Sequence, residues 1–210
     1  MRCLIIAGSP EYDAELIRAQ AKLHDLVICA DRGYSHAKAA GIAPDIVIGD
    51  FDSYTDEVDC PEIIRLNTDK DFTDTLISAD KAIEKGCDQI TVLSATGGRL
   101  DHTLANIFLL EYISKKGVAG ALLSNKERIE LLGRGEHLFS GNDGLTFSLF
   151  PLGCESVSLS IKGARWELDN YRLKSSVPIG VSNVFKDGEC SIRVTDGTAV
   201  IIINLSDEYL

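Results

Sequence analysis

Leu26 to Ser53 reads LVICADRGYSHAKAAGIAPDIVIGDFDS, and its grammar decides the fold. Two short apolar runs, Leu26 to Ala30 and Ile46 to Ile48, flank Tyr34 to Ala40, a stretch of helical composition stopped by Gly41. Continuous apolar runs of this length belong to strands buried on both faces, and a glycine just past a helical run marks its C-terminal stop. The alternation extends outward. Leu4-Ile5-Ile6-Ala7, Ile63-Ile64-Arg65-Leu66, Thr91-Val92-Leu93 and Ala121-Leu122-Leu123 read as further strands, and Pro10 to Leu23, Thr73 to Lys85 and Leu100 to Lys115 as helices. Repetition of strand, helix and strand predicts an α/β domain over residues 1–125, a doubly wound, mostly parallel sheet with flanking helices.

From residue 126 to residue 210 the grammar changes to closely spaced β segments: Leu145 to Phe150, Val157 to Ile161, Ser191 to Val194 and Ala199 to Leu205. Val157-Ser158-Leu159-Ser160-Ile161 alternates cleanly. Asp187-Gly188 and Asp196-Gly197 each carry hairpin-turn chemistry between strand candidates. The second domain is expected to be an antiparallel sandwich or barrel.

Composition narrows the function. The chain has 210 residues, 45% of them apolar and 25% charged, which suits a folded soluble protein. A formal charge of −11 argues against nucleic-acid binding, which draws its affinity from Lys and Arg on phosphates. The six cysteines lie far apart with no C-x-x-C pair, so structural zinc and a redox dithiol are not expected. The first apolar run, Cys3 to Ala7, is shorter than a signal-peptide core and no stretch approaches the length of a membrane span, so a cytoplasmic location is expected.

The chemistry-bearing residues follow the predicted strands. Gly49-Asp50-Phe51-Asp52-Ser53 comes directly after the third strand, at the carboxyl end where ligands of open parallel sheets collect. Two carboxylates two apart on a turning chain can converge on one hard cation such as Mg²⁺; alone, the pair would read as a solvated turn with an aspartate cap. Asp31-Arg32-Gly33 follows the second strand, its glycine suited to a tight turn or a close approach to a nucleotide. Asp69, Asp71 and Asp74 crowd the start of the helix over Thr73 to Lys85, more acids than capping and the helix dipole account for. Asp71 and Asp74, three apart, can face a shared ion. In Thr96-Gly97-Gly98-Arg99-Leu100-Asp101-His102 the paired glycines can offer backbone N–H groups to phosphate, and Arg99 adds a planar donor fork. Asp101 caps the helix or assists the metal, and His102 is a helix-start residue or a direct participant. So much anionic charge on one rim repels itself unless cations compensate, so a metal–nucleotide site is expected.

Taken in order, Ala30-Asp31-Arg32-Gly33, Gly49-Asp50-Phe51-Asp52-Ser53, Asp71-Phe72-Thr73-Asp74 and Gly97-Gly98-Arg99-Leu100-Asp101-His102 resemble the thiamine pyrophosphokinase family across nearly the whole chain. Arg165-Trp166-Glu167-Leu168 and Val181-Ser182-Asn183-Val184 resemble its thiamine-binding region. The resemblance implies an α/β nucleotide domain followed by an antiparallel β-sandwich that binds thiamine and mediates dimerisation, in a homodimer with active sites between subunits. It implies transfer of the diphosphoryl group of Mg-ATP to the thiamine hydroxyl, with ATP as co-substrate. Asp50, Asp52, Asp71 and Asp74 would hold Mg²⁺ and, with Arg99 and Asp101, form the catalytic set. Asp31, Arg32, Gly33, Gly97, Gly98, Arg99, Asp101 and His102 would surround ATP, although some relatives carry glycine where Arg32 stands. Trp166, Ser182 and Asn183 would line the thiamine pocket, the tryptophan offering an aromatic face to a cationic thiazolium. Two rivals are weighed: a haloacid-dehalogenase-like phosphatase or phosphotransferase using Asp50 as nucleophile, and a non-catalytic nucleotide or thiamine sensor. Tyr54 stands where the first rival's pattern wants Thr or Val.

Overall fold

The computed structural model describes residues 1–50, 58–66, 72–186 and 188–205. The chain divides into two compact units, Met1–Ser124 and Asn125–Leu210.

In the first unit β1 (Arg2–Ile6), β2 (Leu26–Ala30), β3 (Ile46–Gly49), β4 (Glu62–Arg65), β5 (Gln89–Leu93) and β6 (Ala119–Leu123) alternate with α1 (Ala14–Ala21), α2 (Gly33–Ala39), α3 (Asp74–Glu84) and α4 (Leu100–Lys115). The strands lie in the order β6-β5-β1-β2-β3-β4, all parallel. Leu4, Ile6, Val27, Cys29 and Val47 pack with Ile17 of α1, Tyr34 and Ala37 of α2 and its C-cap Ala40. Alternate residues Cys3, Ile5, Ile28, Ile46 and Ile48 are equally buried, and α3 packs on β1, β2 and β3. Burial on both faces is why these strands carry unbroken apolar runs. The order reverses between β1 and β5, which makes the carboxyl ends of these strands the topological switch point.

Helix α1 begins at Ala14, later than the expected Pro10, because Asp13 caps it: its Oδ1 accepts from the N–H groups of Glu15 (2.8 Å) and Leu16 (3.0 Å). The freed segment from Ala7 to Tyr12 becomes a loop tied to β5, with Ala7 N–H donating to Leu93 O and Ser9 N–H to Ser94 O, both at 2.9 Å.

The second unit is an antiparallel sandwich. Its strands are β7 (Glu127–Leu132), β8 (Gly135–Ser140), β9 (Thr146–Pro151), β10 (Ser156–Lys162), β11 (Leu168–Lys174), β12 (Asn183–Val184), β13 (Glu189–Asp196) and β14 (Ala199–Asn204). They pair in the orders β12-β9-β14-β7 and β11-β10-β13-β8. The inward residues of both sheets, among them Phe147, Ile201 and Ile203 from one and Leu159, Ile192 and Val194 from the other, form one core. Asp196-Gly197 does not close a hairpin as expected. Strand β13 pairs with β8 and β10, while β14 pairs with β7 and β9, so this turn carries the chain from one sheet to the other. Gly197 permits it: a Cβ there would lie 2.5 Å from Ser156 O, and φ is +76°. The other expected hairpin turn includes Asp187, outside the described residues.

Candidate active site

At the switch point lies a cleft of about 520 Å³. The loop after β1 supplies Gly8 and Ser9, the end of β2 Asp31 and Arg32, and the start of α3 Thr73 and Asp74. The segment after β5 contributes Ser94, Gly97, Gly98 and Arg99, and α4 contributes His102 and Asn106. The cleft therefore brings together Asp31, Arg32, Asp74, Gly97, Gly98, Arg99 and His102 of the expected site. Gly33, Asp50 and Asp101 stand outside its lining, and Asp52 and Asp71 lie outside the described residues.

Asp31 is built into the sheet end. Its N–H donates to Ile48 O at 2.7 Å, its φ is +45°, and Gly49 packs so close that a Cβ there would lie 3.1 Å from Asp31 Cα. Aspartate is one of the few residues with a side chain that tolerates this left-handed backbone. Burial raises its carboxyl pKa, and the fields of Asp74 and Asp50 push it the same way, against the backbone hydrogen bond from Arg32. Asp50 thus acts on the cleft electrostatically although it is not part of the wall. The neighbouring Gly33 is structural: a Cβ would meet Ile6 O at 1.8 Å, so only glycine lets α2 start against β1.

The turn after β5 has two consecutive left-handed glycines, Gly97 (φ +87°) and Gly98 (φ +66°). Ser9 Oγ holds the turn by donating to Thr96 O at 2.6 Å, and Asn106 Nδ2 donates to Ala95 O at 2.7 Å. Arg99 grips Asp101 through two nitrogens, Nε to Oδ1 at 3.1 Å and Nη2 to Oδ2. That hydrogen bond and charge hold the Asp101 carboxyl below its ordinary pKa. Asp101 thereby orients the arginine that borders the cleft, and it also accepts from His102 N–H at 3.0 Å.

Sequence reasoning passed over Ser9, Ser94 and Asn106. Asn106 was accessible to it, since it stands four residues after His102 on α4 and so shares its face. The two serines carry no local signal.

In the second unit Trp166 and Asn183 line an apolar pocket of about 320 Å³ with Phe147, Leu159, Tyr171 and Ile179. Ser182 lies outside its lining, exposed and with φ +59°. Asn183 spends its amide on the backbone. Its Oδ1 accepts from Trp166 N–H (3.0 Å) and Val184 N–H (2.9 Å), and its Nδ2 donates to Trp166 O (2.8 Å). It therefore ties the loop between β10 and β11 that carries Trp166 to β12, and the Trp166 ring has the Arg165 guanidinium 4.8 Å from its centroid.

Two family models match: "Thiamin pyrophosphokinase, catalytic domain" over residues 18–120 and "Thiamin pyrophosphokinase, vitamin B1 binding domain" over residues 136–199. The chain belongs to the thiamine pyrophosphokinase family. A thiamine pyrophosphokinase of Bacillus subtilis (strain 168) is 28% identical over 205 residues, covering 94% of this chain and 96% of that protein. Thiamine pyrophosphokinase 1 of Oryza sativa subsp. japonica is 32% identical over 174 residues, 75% of this chain and 64% of the relative. The crystal structure of the Bacillus subtilis thiamine pyrophosphokinase superposes with a TM-score of 0.86 at 26% identity, covering 98% of this chain and 100% of that one. The Candida albicans thiamin pyrophosphokinase shares the fold, with a TM-score of 0.84 at 19% identity over 98% of this chain and 89% of that one. Membership of this family leaves the haloacid-dehalogenase-like and sensor alternatives without support.

Proposed function

We propose that the chain transfers the diphosphoryl group of ATP to the hydroxyl of thiamine, giving thiamine diphosphate and AMP. The observation that carries this reading is the switch-point cleft, where Asp31 and Asp74 face the Gly97-Gly98 turn and Arg99. Acids and phosphate-type donors in one cleft suit a metal-bound polyphosphate.

Among the described residues, no group of three or more His, Cys, Asp or Glu is arranged to hold a metal. Magnesium does not need one, since it takes one or two carboxylates and completes its shell with phosphate and water oxygens. The Asp31 carboxyl, raised first by burial and then by the fields of Asp74 and Asp50, would gain from a cation placed beside these acids. Asp50, Asp52, Asp71 and Asp74 are proposed to hold Mg²⁺, which would supply positive charge against the phosphate oxygens. Arg99, oriented by Asp101, offsets charge on the transferred group, while Asp31, Arg32, the Gly97-Gly98 turn and His102 bound the nucleotide, and Gly33 lets the segment that carries Asp31 and Arg32 pack against β1. A carboxylate of the acidic set takes the proton of the attacking hydroxyl, which displaces AMP from the β-phosphorus in line. The protein's part is positioning and charge neutralisation.

Thiamine is assigned to the apolar pocket of the second unit, against Trp166 with Asn183 in the same lining and Ser182 next to it in sequence. A cation over an indole gains about 0.5–2 kcal/mol. We further propose a homodimer in the cytoplasm, with residues 1–125 as the ATP and Mg²⁺ domain and residues 126–210 as the thiamine-binding and dimerisation domain. No helix among the described residues is long and apolar enough to cross a membrane.

Incubation with thiamine, ATP and Mg²⁺ followed by nucleotide analysis tests the reaction. AMP with thiamine diphosphate is expected; ADP with thiamine monophosphate would show single phosphoryl transfer and end the reading.

A further inference from the structure

The Ser94 hydroxyl is a polar group of the cleft wall that nothing among the described residues uses. Ser94 follows the last residue of β5, is 7% exposed and lines the cleft. Its backbone is left-handed, with φ +53°, a conformation that disfavours residues with a Cβ and that serine has no special means of adopting. Its carbonyl accepts from Ser9 N–H at 2.9 Å, which accounts for the direction of the backbone. The side chain has no such account: Oγ is buried and has no hydrogen-bond partner among the described residues. Nor does the turn need it, because Ser9 Oγ and Asn106 Nδ2 already satisfy the Thr96 and Ala95 carbonyls. A glycine here would avoid both the strained backbone and the orphaned hydroxyl. A strained, unsatisfied residue in a cleft wall points to function.

We infer that the Ser94 hydroxyl is a nucleotide-binding group that, after rotation about χ1, donates to a phosphate oxygen of the nucleotide. The inference rests on the nucleotide reading of the cleft given above. Phosphate is preferred to base or ribose because the neighbouring features favour anions. The Gly97-Gly98 turn and the start of the 16-residue helix α4 follow within six residues of Ser94. A hydroxyl adds a neutral donor to that group, and rotation about the single χ1 bond is enough to re-aim it.

Calorimetric titration of ATP and of adenosine, with Mg²⁺ and without thiamine, into wild type, Ser94→Ala and Ser94→Gly tests this. Both variants should bind ATP about tenfold more weakly, the effect of one lost hydrogen bond to a charged group, with adenosine affinity unchanged. Ser94→Gly should also melt above Ser94→Ala, since glycine relieves the left-handed strain. It keeps the test decidable if the alanine variant does not fold. ATP affinity within twofold of wild type in the variants, or equal losses for ATP and adenosine, would overturn the assignment while wild-type ATP binding leaves the nucleotide reading standing. Failure of the wild type to bind ATP would overturn both.

Discussion

Glycine at position 98 is fixed by two neighbours at once. Its φ of +66° disfavours any side chain, and a Cβ would lie 2.7 Å from the ring of Pro10, which cannot swing aside as the Glu11 side chain opposite Gly97 can. Gly98→Ala is therefore expected to cost about 1–2 kcal/mol of backbone strain plus an overpacking cost of similar size. Urea unfolding should show the loss, and ATP affinity should fall because the turn is displaced. Asp31 behaves in the opposite sense. Its folded pKa is raised by burial and by Asp74 and Asp50, so its ionised form opposes folding. Any stability it contributes is present below the carboxyl's unfolded value and is lost as pH rises through the folded pKa. Asp31→Asn should consequently be more stable than wild type at pH 7 in EDTA, with the advantage vanishing below the unfolded value. Its kcat/KM should drop roughly 10- to 100-fold if a charge-assisted contact is lost. A stability advantage over wild type that is no larger at pH 7 than at pH 3 would contradict the electrostatic account.

Helix α3 connects cap to chemistry. Thr73 Oγ1 accepts from Leu76 N–H at 3.2 Å, and Thr73 and Asp74 both line the cleft. Thr73→Ala should cost about 1 kcal/mol, read as a melting point lower by roughly 2–4 °C for a chain of this size, and should raise KM for ATP as the first turn loosens. The same elements show what the sequence made legible. Strands β2 and β3 were readable because burial on both faces leaves unbroken apolar runs such as Leu26 to Ala30. Strands β7 and β11 were not: Glu127-Arg128-Ile129-Glu130 and Asp169-Asn170-Tyr171-Arg172 present mainly polar residues, and Asn170 breaks the extended backbone at φ +42°. The start of α1 was misplaced because Pro10 is a common first helical residue, whereas the Asp13 side chain captures the N–H groups that define the true start. Within the site, Asp31, Asp74 and the Gly97-Gly98-Arg99 turn were legible because each sits at a strand end or helix start. Ser94 was invisible, since its left-handed backbone and buried hydroxyl arise only once β1 and β5 lie side by side.

For the whole molecule, net charge and the acidic cleft make separable contributions to stability. A formal charge of −11 means the folded chain repels itself, so any salt should stabilise it by screening. Bound magnesium would do more, because it would stabilise only the state in which the carboxylates are assembled. At a concentration about ten times its Kd, a one-site ligand contributes roughly 1.4 kcal/mol, equivalent to about 3–5 °C in melting temperature for a protein of 150–250 residues. Thermal melts of the EDTA-stripped protein in NaCl and in MgCl₂ at matched ionic strength should therefore diverge by that amount, and the divergence should shrink in Asp50→Asn. Coincident melts would mean that the acids act only through their summed field, and the proposed metal site would lose its support although the cleft and its Gly97-Gly98 turn would remain.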